Sequence, residues 1–221
     1  MVSKVSATMS RPKFRRRKEE RPRQIIRAAM GAFAEKGFDA TRVTDVARRA
    51  GVSKGLLYLY FRTKEELFKA VIKSVVMPRL DALSVNVERT DLTATEFLRG
   101  PFLEFACEVP RSPAQILIRL MIAEGPKHPD LTGWYWENVV SRGIALLRRI
   151  IDRGVAAGEF RPSALQDYPQ ILIAPVLFSV VWTSVFSPHH ALDTDRYIES
   201  HLDLILDAIS LPATRTKAGT S

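Results

Sequence analysis

The sequence of 221 residues contains one cysteine, Cys107, which excludes an internal disulfide and fits a reducing compartment. Its N-terminal segment lacks the apolar stretch of a secretory signal. The main apolar run, residues 171–186, is interrupted by Pro175 and falls short of the roughly 20 residues that a membrane-spanning helix needs. These absences favour a cytoplasmic protein that has no membrane partner.

Motifs of catalysis are also missing. The sequence contains no glycine-rich dinucleotide loop, no P-loop, no zinc-protease motif and no nucleophile elbow. One group of histidines and aspartates has no spacing typical of metal ligands, and a loop followed by a helix cap explains it: His189, His190, Asp193, Asp195 and His201. We therefore expect no enzyme activity, no cofactor and no metal site.

The chain is strongly basic, with a formal net charge of +9 and a pI near 9.9. This balance favours an anionic partner such as nucleic acid. Most of the excess lies in residues 1–23, which contain nine basic and two acidic side chains. We expect residues 1–20 to form a disordered basic arm. The arm is either a solvated tail or a segment that contacts DNA phosphates or the minor groove.

Residues 44–61 are typical of two short helices joined by a tight turn. Thr44 and Ser53 are good N-caps because their hydroxyls accept hydrogen bonds from free backbone amides. Gly51 can adopt the positive φ of the turn, and Leu57 and Phe61 form an i/i+4 apolar pair on the second helix. This pattern predicts a helix-turn-helix, which places its second helix in the DNA major groove.

The outward face of the second helix has an unusual composition. With Leu57 inward, Gly55 and Leu59 point most directly outward. A glycine in an exposed helix costs roughly 1 kcal/mol relative to alanine, and its lack of a side chain would let the backbone approach the bases. Lys54 can reach a guanine or a phosphate, and the hydroxyl of Tyr58 can reach a phosphate. The alternative is an amphipathic helix pair that only packs on a core.

The string A-G-V-S-K-G-x-L-Y-x-Y-F, followed by x-x-K-E-E-L, resembles the DNA-binding domain of the TetR/AcrR family of transcriptional regulators. The resemblance covers about residues 23–76. Leu56 and Leu59 depart from the polar or aromatic residues common at these positions in the family, which suggests apolar contact with thymine methyl groups. The pattern and the resemblance together place the following residues at DNA: Arg42, Thr44, Ser53, Lys54, Gly55, Leu56, Tyr58, Leu59, Tyr60 and Lys64.

The rest of the chain is helical in pattern, with no strand signal and no internal repeat. We expect helix 1 over residues 21–36, ending at Gly37, and a long helix over residues 131–157. Pro78 and the pair at 100–101 are expected to end or kink helices. Asp193 or Thr194 caps the last helix, and three capping-box pairs predict earlier helix starts: Thr63 with Glu66, Thr93 with Glu96, and Ser163 with Gln166.

These elements predict an all-α fold. A three-helix helix-turn-helix DNA-binding domain occupies residues 21–81, and a larger helical ligand-binding and dimerisation domain follows over residues 82–211. We expect residues 212–221 to be a disordered polar tail.

Residues 171–186 are apolar on nearly all sides, which predicts a helix buried on nearly all sides. By the resemblance, the last two helices of each chain form a four-helix dimer interface. The alternative is that both helices belong only to the core of one chain. The candidate interface residues are Ile171, Val176, Val180, Ile198, Leu202, Ile205 and Ile209.

A set of aromatic residues in the second domain could line an apolar ligand pocket or could be ordinary core. Glu124 is a candidate for the polar group of such a pocket. The candidate pocket residues are Phe97, Phe102, Phe105, Met121, Glu124, Trp134, Trp136, Phe178 and Trp182.

We therefore predict a sequence-specific DNA-binding transcriptional regulator. By the resemblance it is a repressor that acts as a homodimer on a palindromic operator and is released by a small apolar or amphipathic ligand. Two alternatives remain at this point: an architectural DNA-binding protein without an effector, and a helical small-molecule-binding protein.

Overall fold

The computed structural model describes residues 13–89 and 91–212. Within these ranges the regular elements are helical, apart from one isolated antiparallel bridge between Phe160 and Ser210, so the all-α prediction is confirmed. The chain divides into two compact units, Met1–Val71 and Ile72–Ser221, upstream of the boundary expected after residue 81. The first twelve residues of the predicted arm and residues 213–221 of the predicted tail lie outside the described ranges.

Four helices contribute to the first unit: α1 (Lys13–Ala40), α2 (Val43–Arg49), α3 (Lys54–Tyr60) and α4 (Lys64–Val75), the last of which continues into the second unit. α1 begins before the expected residue 21, so residues 13–20 of the predicted arm belong to a helix. This segment contains no glycine or proline and is rich in Arg, Lys and Glu, which favour helix.

The end of α1 is held by an aromatic cluster. The rings of Phe33, Phe38 and Phe68 contact one another at centroid distances of 5.0–5.7 Å, and all three side chains are buried. Gly37 has a φ of 80°, as expected of a helix terminator, and its non-helical backbone brings Phe38 back against Phe33. α1 is thereby packed against α4.

The start of α2 differs from the prediction. The amides of Asp45 and Val46 donate to the carbonyl of Arg42 at 2.9 and 3.3 Å, so Arg42 is the N-cap and Thr44 lies inside the first turn. The prediction that Thr44 caps this helix is therefore wrong. Thr41, one residue before the cap, donates its hydroxyl to the carbonyl of Gly37 at 2.6 Å and fixes the connection to α1 instead.

The second unit contains eight further α-helices in its described part, and two π-helical turns, Leu98–Phe102 and Trp136–Val140, join α6 to α7 and α9 to α10. The α-helices are α5 (Met77–Arg89), α6 (Ala94–Phe97), α7 (Leu103–Glu108), α8 (Ala114–Glu124), α9 (Pro129–Tyr135), α10 (Ser141–Ala156), α11 (Ala174–Val185) and α12 (Thr194–Ile209).

The predicted helix boundaries of this unit are partly confirmed. The long helix expected over residues 131–157 appears as α9, its π-helical turn and α10, and Gly158 follows with a φ of 72°. The interruption expected at residues 100–101 is confirmed, because α6 ends at Phe97 and the pair lies in the π-helical turn that joins it to α7. Pro101 has no amide to donate, and the wider turn is closed by the amide of Leu103 bonding to the carbonyl of Leu98.

Two of the three predicted capping boxes mark real helix starts. Thr93 and Glu96 form a complete box at α6. At α4 the hydroxyl of Thr63 accepts from the amide of Glu66 at 3.0 Å, while the Glu66 carboxylate accepts from the amide of Arg62. Asp193 caps α12 by accepting from an amide in the first turn, as predicted.

The box predicted at Ser163 and Gln166 is wrong, because residues 161–168 form turns and not a helix. The Gln166 side chain donates to Asp152 at 3.1 Å, and the buried Ser163 hydroxyl has no hydrogen-bond partner among the described residues. Pro169 follows closely; it lacks an amide and disfavours helical geometry at Tyr168.

Residues 159–161 connect distant helix ends in the second unit. The carboxylate of Glu159 accepts from the amides of Ala94 and Thr95 and from the Thr95 hydroxyl, each at 2.9 Å, and thereby caps α6 from 64–65 residues away. The ring of Phe160 is buried directly on Gly154, where an added Cβ would lie 2.2 Å from the ring.

The same segment also holds the end of α12. The amide of Arg161 donates to the carbonyl of Ile209 at 2.8 Å, and the amide of Leu211 donates to the carbonyl of Glu159 at 2.8 Å. The ends of α6, α10 and α12 therefore meet at three consecutive residues.

Candidate DNA-binding interface

The turn and the cap that position α3 match the sequence prediction. Gly51 has a φ of 61°, and the hydroxyl of Ser53 accepts from the amide of Leu56 at 3.1 Å. Leu57 is completely buried, while Phe61 is half-buried at the C-cap, so the inward face of the helix is also as predicted. Buried contacts and a capped N-terminus thus fix the orientation of α3 in the first unit.

The opposite face of α3 is open to solvent. Gly55 is exposed, with no heavy atom within 4 Å of where its Cβ would stand, and the Leu59 side chain is 81% exposed. Tyr58 is 39% exposed, and the Lys54 ammonium lies 5.7 Å from the centroid of its ring. Tyr60 is half-buried, which restricts it to the edge of this face.

An open concavity of about 480 Å³ lies beside α3. It brings together five of the predicted DNA-contacting residues, from the α1–α2 connection, α2, α3 and the start of α4. Three further lining residues, Asp39, Thr41 and Val43, were not predicted, because nothing in their local pattern distinguishes them. The lining residues are Asp39, Thr41, Arg42, Val43, Thr44, Lys54, Tyr58 and Lys64.

Lys64 is partly committed to a structural role. Its ammonium donates to the carbonyls of Phe38 and Asp39 at 2.8 and 3.0 Å and lies 4.5 Å from the centroid of the Phe38 ring. Two of its three donors therefore bind the end of α1. A DNA phosphate could use only the third donor, so Lys64 is a weaker candidate for DNA contact than Lys54.

Carboxylates pair with some of the other basic side chains around the helix-turn-helix. Asp45 accepts from Lys36 at 2.7 Å and from Arg48 at 3.0 Å, and Arg49 pairs with Glu35. The hydrogen bond from Lys36 is the main cause that holds the pKa of Asp45 below its ordinary value. These pairs lie around α1 and α2, and they are distinct from the face of α3 that carries Lys54.

The predicted pocket residues occupy several places in the second unit. Phe97 and Phe102 are buried in its hydrophobic core, as expected if these aromatic residues are ordinary core and not the wall of a ligand pocket. The Lys73 ammonium lies 5.6 Å from the centroid of the Trp134 ring, whereas Trp136 is 55% exposed. Another pair lies on α11, where the rings of the exposed Phe178 and the half-buried Trp182 are 5.6 Å apart. Phe105, Met121 and Glu124 are half-buried, and their role in binding a ligand stays a prediction.

Most of the predicted interface residues point into their own chain. Val176, Val180, Ile198, Leu202 and Ile209 are buried in the single chain, while Ile171 and Ile205 are half-buried. A helix that is apolar all round has no periodicity that tells its two faces apart, so the sequence could not show which residues of this helix face their own chain. The dimer interface itself stays a prediction. The exposed large apolar residues of α11 are Leu177, Phe178, Val181 and Val185.

The described part of the chain contains neither a metal-ligand cluster nor a membrane-spanning helix. No group of three or more His, Cys, Asp or Glu side chains there is arranged to hold a metal ion. Likewise, no helix in the described ranges has the length and apolarity needed to cross a membrane.

A capped, outward-facing second helix on a buried three-helix scaffold defines a DNA-binding unit of the helix-turn-helix class. Comparison with known proteins narrows the class. Residues 25–71 match the family described as bacterial regulatory proteins, tetR family, and residues 95–205 match the tetracyclin repressor-like, C-terminal domain. The chain belongs to the TetR family of transcriptional regulators, as the sequence resemblance implied. It is a DNA-binding regulator, and members of this family are not enzymes.

Individual relatives agree with this assignment. The HTH-type transcriptional repressor KstR2 of Mycolicibacterium smegmatis is 28% identical over 193 residues, covering 85% of this chain and 89% of that protein. Two solved structures share the fold at 21% identity. FadR from Bacillus subtilis in complex with stearoyl-CoA has a TM-score of 0.71, and the match covers 85% of this chain and 98% of the FadR chain. The SmeT–triclosan complex has a TM-score of 0.72, and the match covers 91% of this chain and 99% of the SmeT chain.

Proposed function

We propose that this chain is a homodimeric repressor that binds a palindromic operator and is released by a small apolar or amphipathic ligand. The observation that carries the DNA-binding part is the outer face of α3, where Gly55 permits close approach and Lys54, Tyr58 and Leu59 stand in solvent. Two such helices related by a two-fold axis would enter successive major grooves. The operator half-sites would then lie roughly 34 Å apart or somewhat more.

The exposed side of α11 supports the dimer. Leu177, Val181 and Val185 are spaced at i, i+4 and i+8, so they form one stripe along the helix, and each is exposed in the single chain. A contiguous apolar stripe is costly to leave in water, and a second copy of α11 would cover it. The position of the stripe differs from the predicted interface residues by one residue along the helix.

The dimer can be tested by one substitution in this stripe. Val181→Glu would place a charge in the centre of the interface and should convert the dimer to a monomer in light scattering after size exclusion. The same substitution at the exposed Ala145 of α10 is the matched control and should leave the dimer intact. A Val181→Glu protein that stays dimeric would exclude this stripe from the interface.

The relatives support the repressor activity and the nature of the ligand. KstR2 of M. smegmatis is named a repressor, and the solved structure of KstR2 of Mycobacterium tuberculosis is described as a ketosteroid transcriptional regulator. The B. subtilis FadR structure contains stearoyl-CoA, and the SmeT structure contains triclosan. These ligands share a large apolar part, so stearoyl-CoA, triclosan and a ketosteroid form the first panel of probes for release from DNA.

The proposal is tested by selecting binding sites from a random DNA pool at about 150 mM salt, which suppresses contacts made only to phosphates. Enrichment of a palindromic site is the expected result, and that site then serves to test the panel of probes. Binding without any enriched sequence would instead indicate an architectural DNA-binding protein.

A further inference from the structure

We infer that Leu59 reads the C5-methyl group of a thymine, so each operator half-site contains a required thymine opposite the middle of α3. The inference rests on the proposed function and deepens it, because it names a chemical group through which binding becomes sequence-specific. It concerns one side chain and one methyl group, and both can be changed singly.

The distribution of exposed apolar side chains is the first observation. Within residues 20–71, where the side chains of the first unit are described, the exposed large hydrophobic residues are Tyr58 and Leu59. The two are adjacent on α3, and Leu59 is 81% exposed. A single exposed leucine is ordinary on a protein surface. Here, however, both of these exposed residues occupy the helix that contacts DNA, which indicates a binding surface.

The geometry of α3 selects Leu59 as the residue that reaches the base edges. Leu59 follows Gly55 by one helical turn, on the side opposite the buried Leu57. The space around Gly55 is open, so the helix backbone can come close to the DNA there, and Leu59 projects from the same face.

The chemistry of the side chain then identifies its target. Leucine has no donor or acceptor, so a phosphate or a polar base edge gives it no hydrogen bond. In the major groove the apolar group on a base edge is the thymine C5-methyl. Leucine packed on that methyl removes both from water.

Leu56, the other apolar departure from the family pattern, is not equivalent to Leu59. It lies in the first turn of α3, where its amide is bound by the Ser53 hydroxyl at 3.1 Å, and its side chain is half-buried. Leu56 and Leu59 were equivalent candidates on sequence alone, but they differ in exposure. The methyl contact is therefore assigned to Leu59.

The test removes the methyl group alone. The operator obtained from the random pool is synthesised with each thymine in turn replaced by uracil, which lacks only the C5-methyl, and the affinity of the full chain is measured by fluorescence anisotropy. We expect one position per half-site at which uracil weakens binding about fourfold, or about 15-fold when both half-sites are changed. These factors correspond to burial of one methyl-sized group per half-site.

Variants at position 59 connect this loss to the side chain. Leu59→Ala should bind the thymine and uracil operators with equal affinity, whereas Leu59→Met, which retains an apolar side chain of similar reach, should keep the preference for thymine. Because Leu59 is so exposed, both variants should unfold at the wild-type temperature, which circular dichroism checks.

Each other outcome overturns the inference in a recognisable way. Equal binding of thymine and uracil operators by the wild type refutes the methyl contact but leaves the proposed regulator intact. A thymine preference that persists in Leu59→Ala assigns the methyl to another residue. Failure to enrich any site from the random DNA pool contradicts the proposed function itself, and the inference about Leu59 fails with it.

Discussion

Replacing Glu159 by alanine should lower the free energy of unfolding by about 2 kcal/mol. The substitution removes a carboxylate that accepts three hydrogen bonds, from the amides of Ala94 and Thr95 and from the Thr95 hydroxyl. Loss of a helix cap costs about 1 kcal/mol, and a hydrogen bond to a charged group contributes about 1.5–3 kcal/mol. Glu159 is half-buried, so water can replace part of what is lost, and the expected total is well below the simple sum.

The effect should depend on pH in a defined direction. Partial burial raises the pKa of Glu159, but the hydrogen bonds from the Thr95 and Ala94 amides and the Thr95 hydroxyl, with a smaller effect of the Arg153 charge, outweigh it. The net pKa therefore lies below its ordinary value. A carboxylate with a lowered pKa stabilises the fold above its unfolded pKa of about 4.3, and this contribution is lost as the pH falls through the folded pKa.

The assay is denaturant unfolding of the wild type, Glu159→Ala and Glu159→Gln. The protein concentration is kept fixed, because the proposed dimerisation would also affect apparent stability. The advantage of the wild type over Glu159→Gln should be constant from about pH 8 to about pH 5.5 and should shrink below about pH 4.3. Glu104→Gln, at an exposed position of α7, is the control and should change stability by less than about 0.5 kcal/mol. A similarly small change in Glu159→Ala would refute the capping role, as would a difference from Glu159→Gln that is unchanged at low pH.

Two further substitutions test the site and the core. Lys54→Ala should leave the fold intact and weaken operator binding. If Lys54 reads a guanine, competition assays should also show that discrimination at one base pair falls by about 1–3 kcal/mol. Equal weakening on operator and random DNA would mean that Lys54 contacts only a phosphate. Gly154→Ala should destabilise the second unit by about 1–3 kcal/mol or more in thermal unfolding, because the new Cβ would lie 2.2 Å from the ring of Phe160; a wild-type melting temperature would show that the ring can move aside.

Local chemistry in the sequence was sufficient to predict much of the helix-turn-helix. Ser53 precedes a helix whose first amides need an acceptor, and Gly51 meets the positive φ of the turn, so both could be identified from a few neighbouring residues. The prediction failed at Thr44. The Thr41 hydroxyl fixes the connection from α1, and α2 therefore begins after Arg42, before the helix start that Thr44 alone would indicate. A capping residue can be identified from its side chain, but the helix start depends on the backbone before it.

Features that depend on distant parts of the chain could not be predicted. Glu159 caps a helix 64–65 residues away, and no spacing in the sequence connects the two. Because α11 is apolar on nearly all sides, its sequence predicted burial on nearly all sides. It could not show that Val180 faces the core while Val181 faces outward. Lys64 fitted the DNA-binding pattern of the family, but its binding to the end of α1 depends on tertiary structure.

The meeting of three helix ends at residues 159–161 has a consequence for how the second unit opens. The bonds to Ile209 and from Leu211 close a loop of about fifty residues that includes α11, and the Glu159 carboxylate adds the start of α6 to the same junction. Fraying of the C-terminal helix therefore releases the cap of a helix far away in sequence. Hydrogen exchange at the amides of Ala94, Thr95, Arg161 and Leu211 should therefore report one common free energy of opening, as in a single cooperative unit.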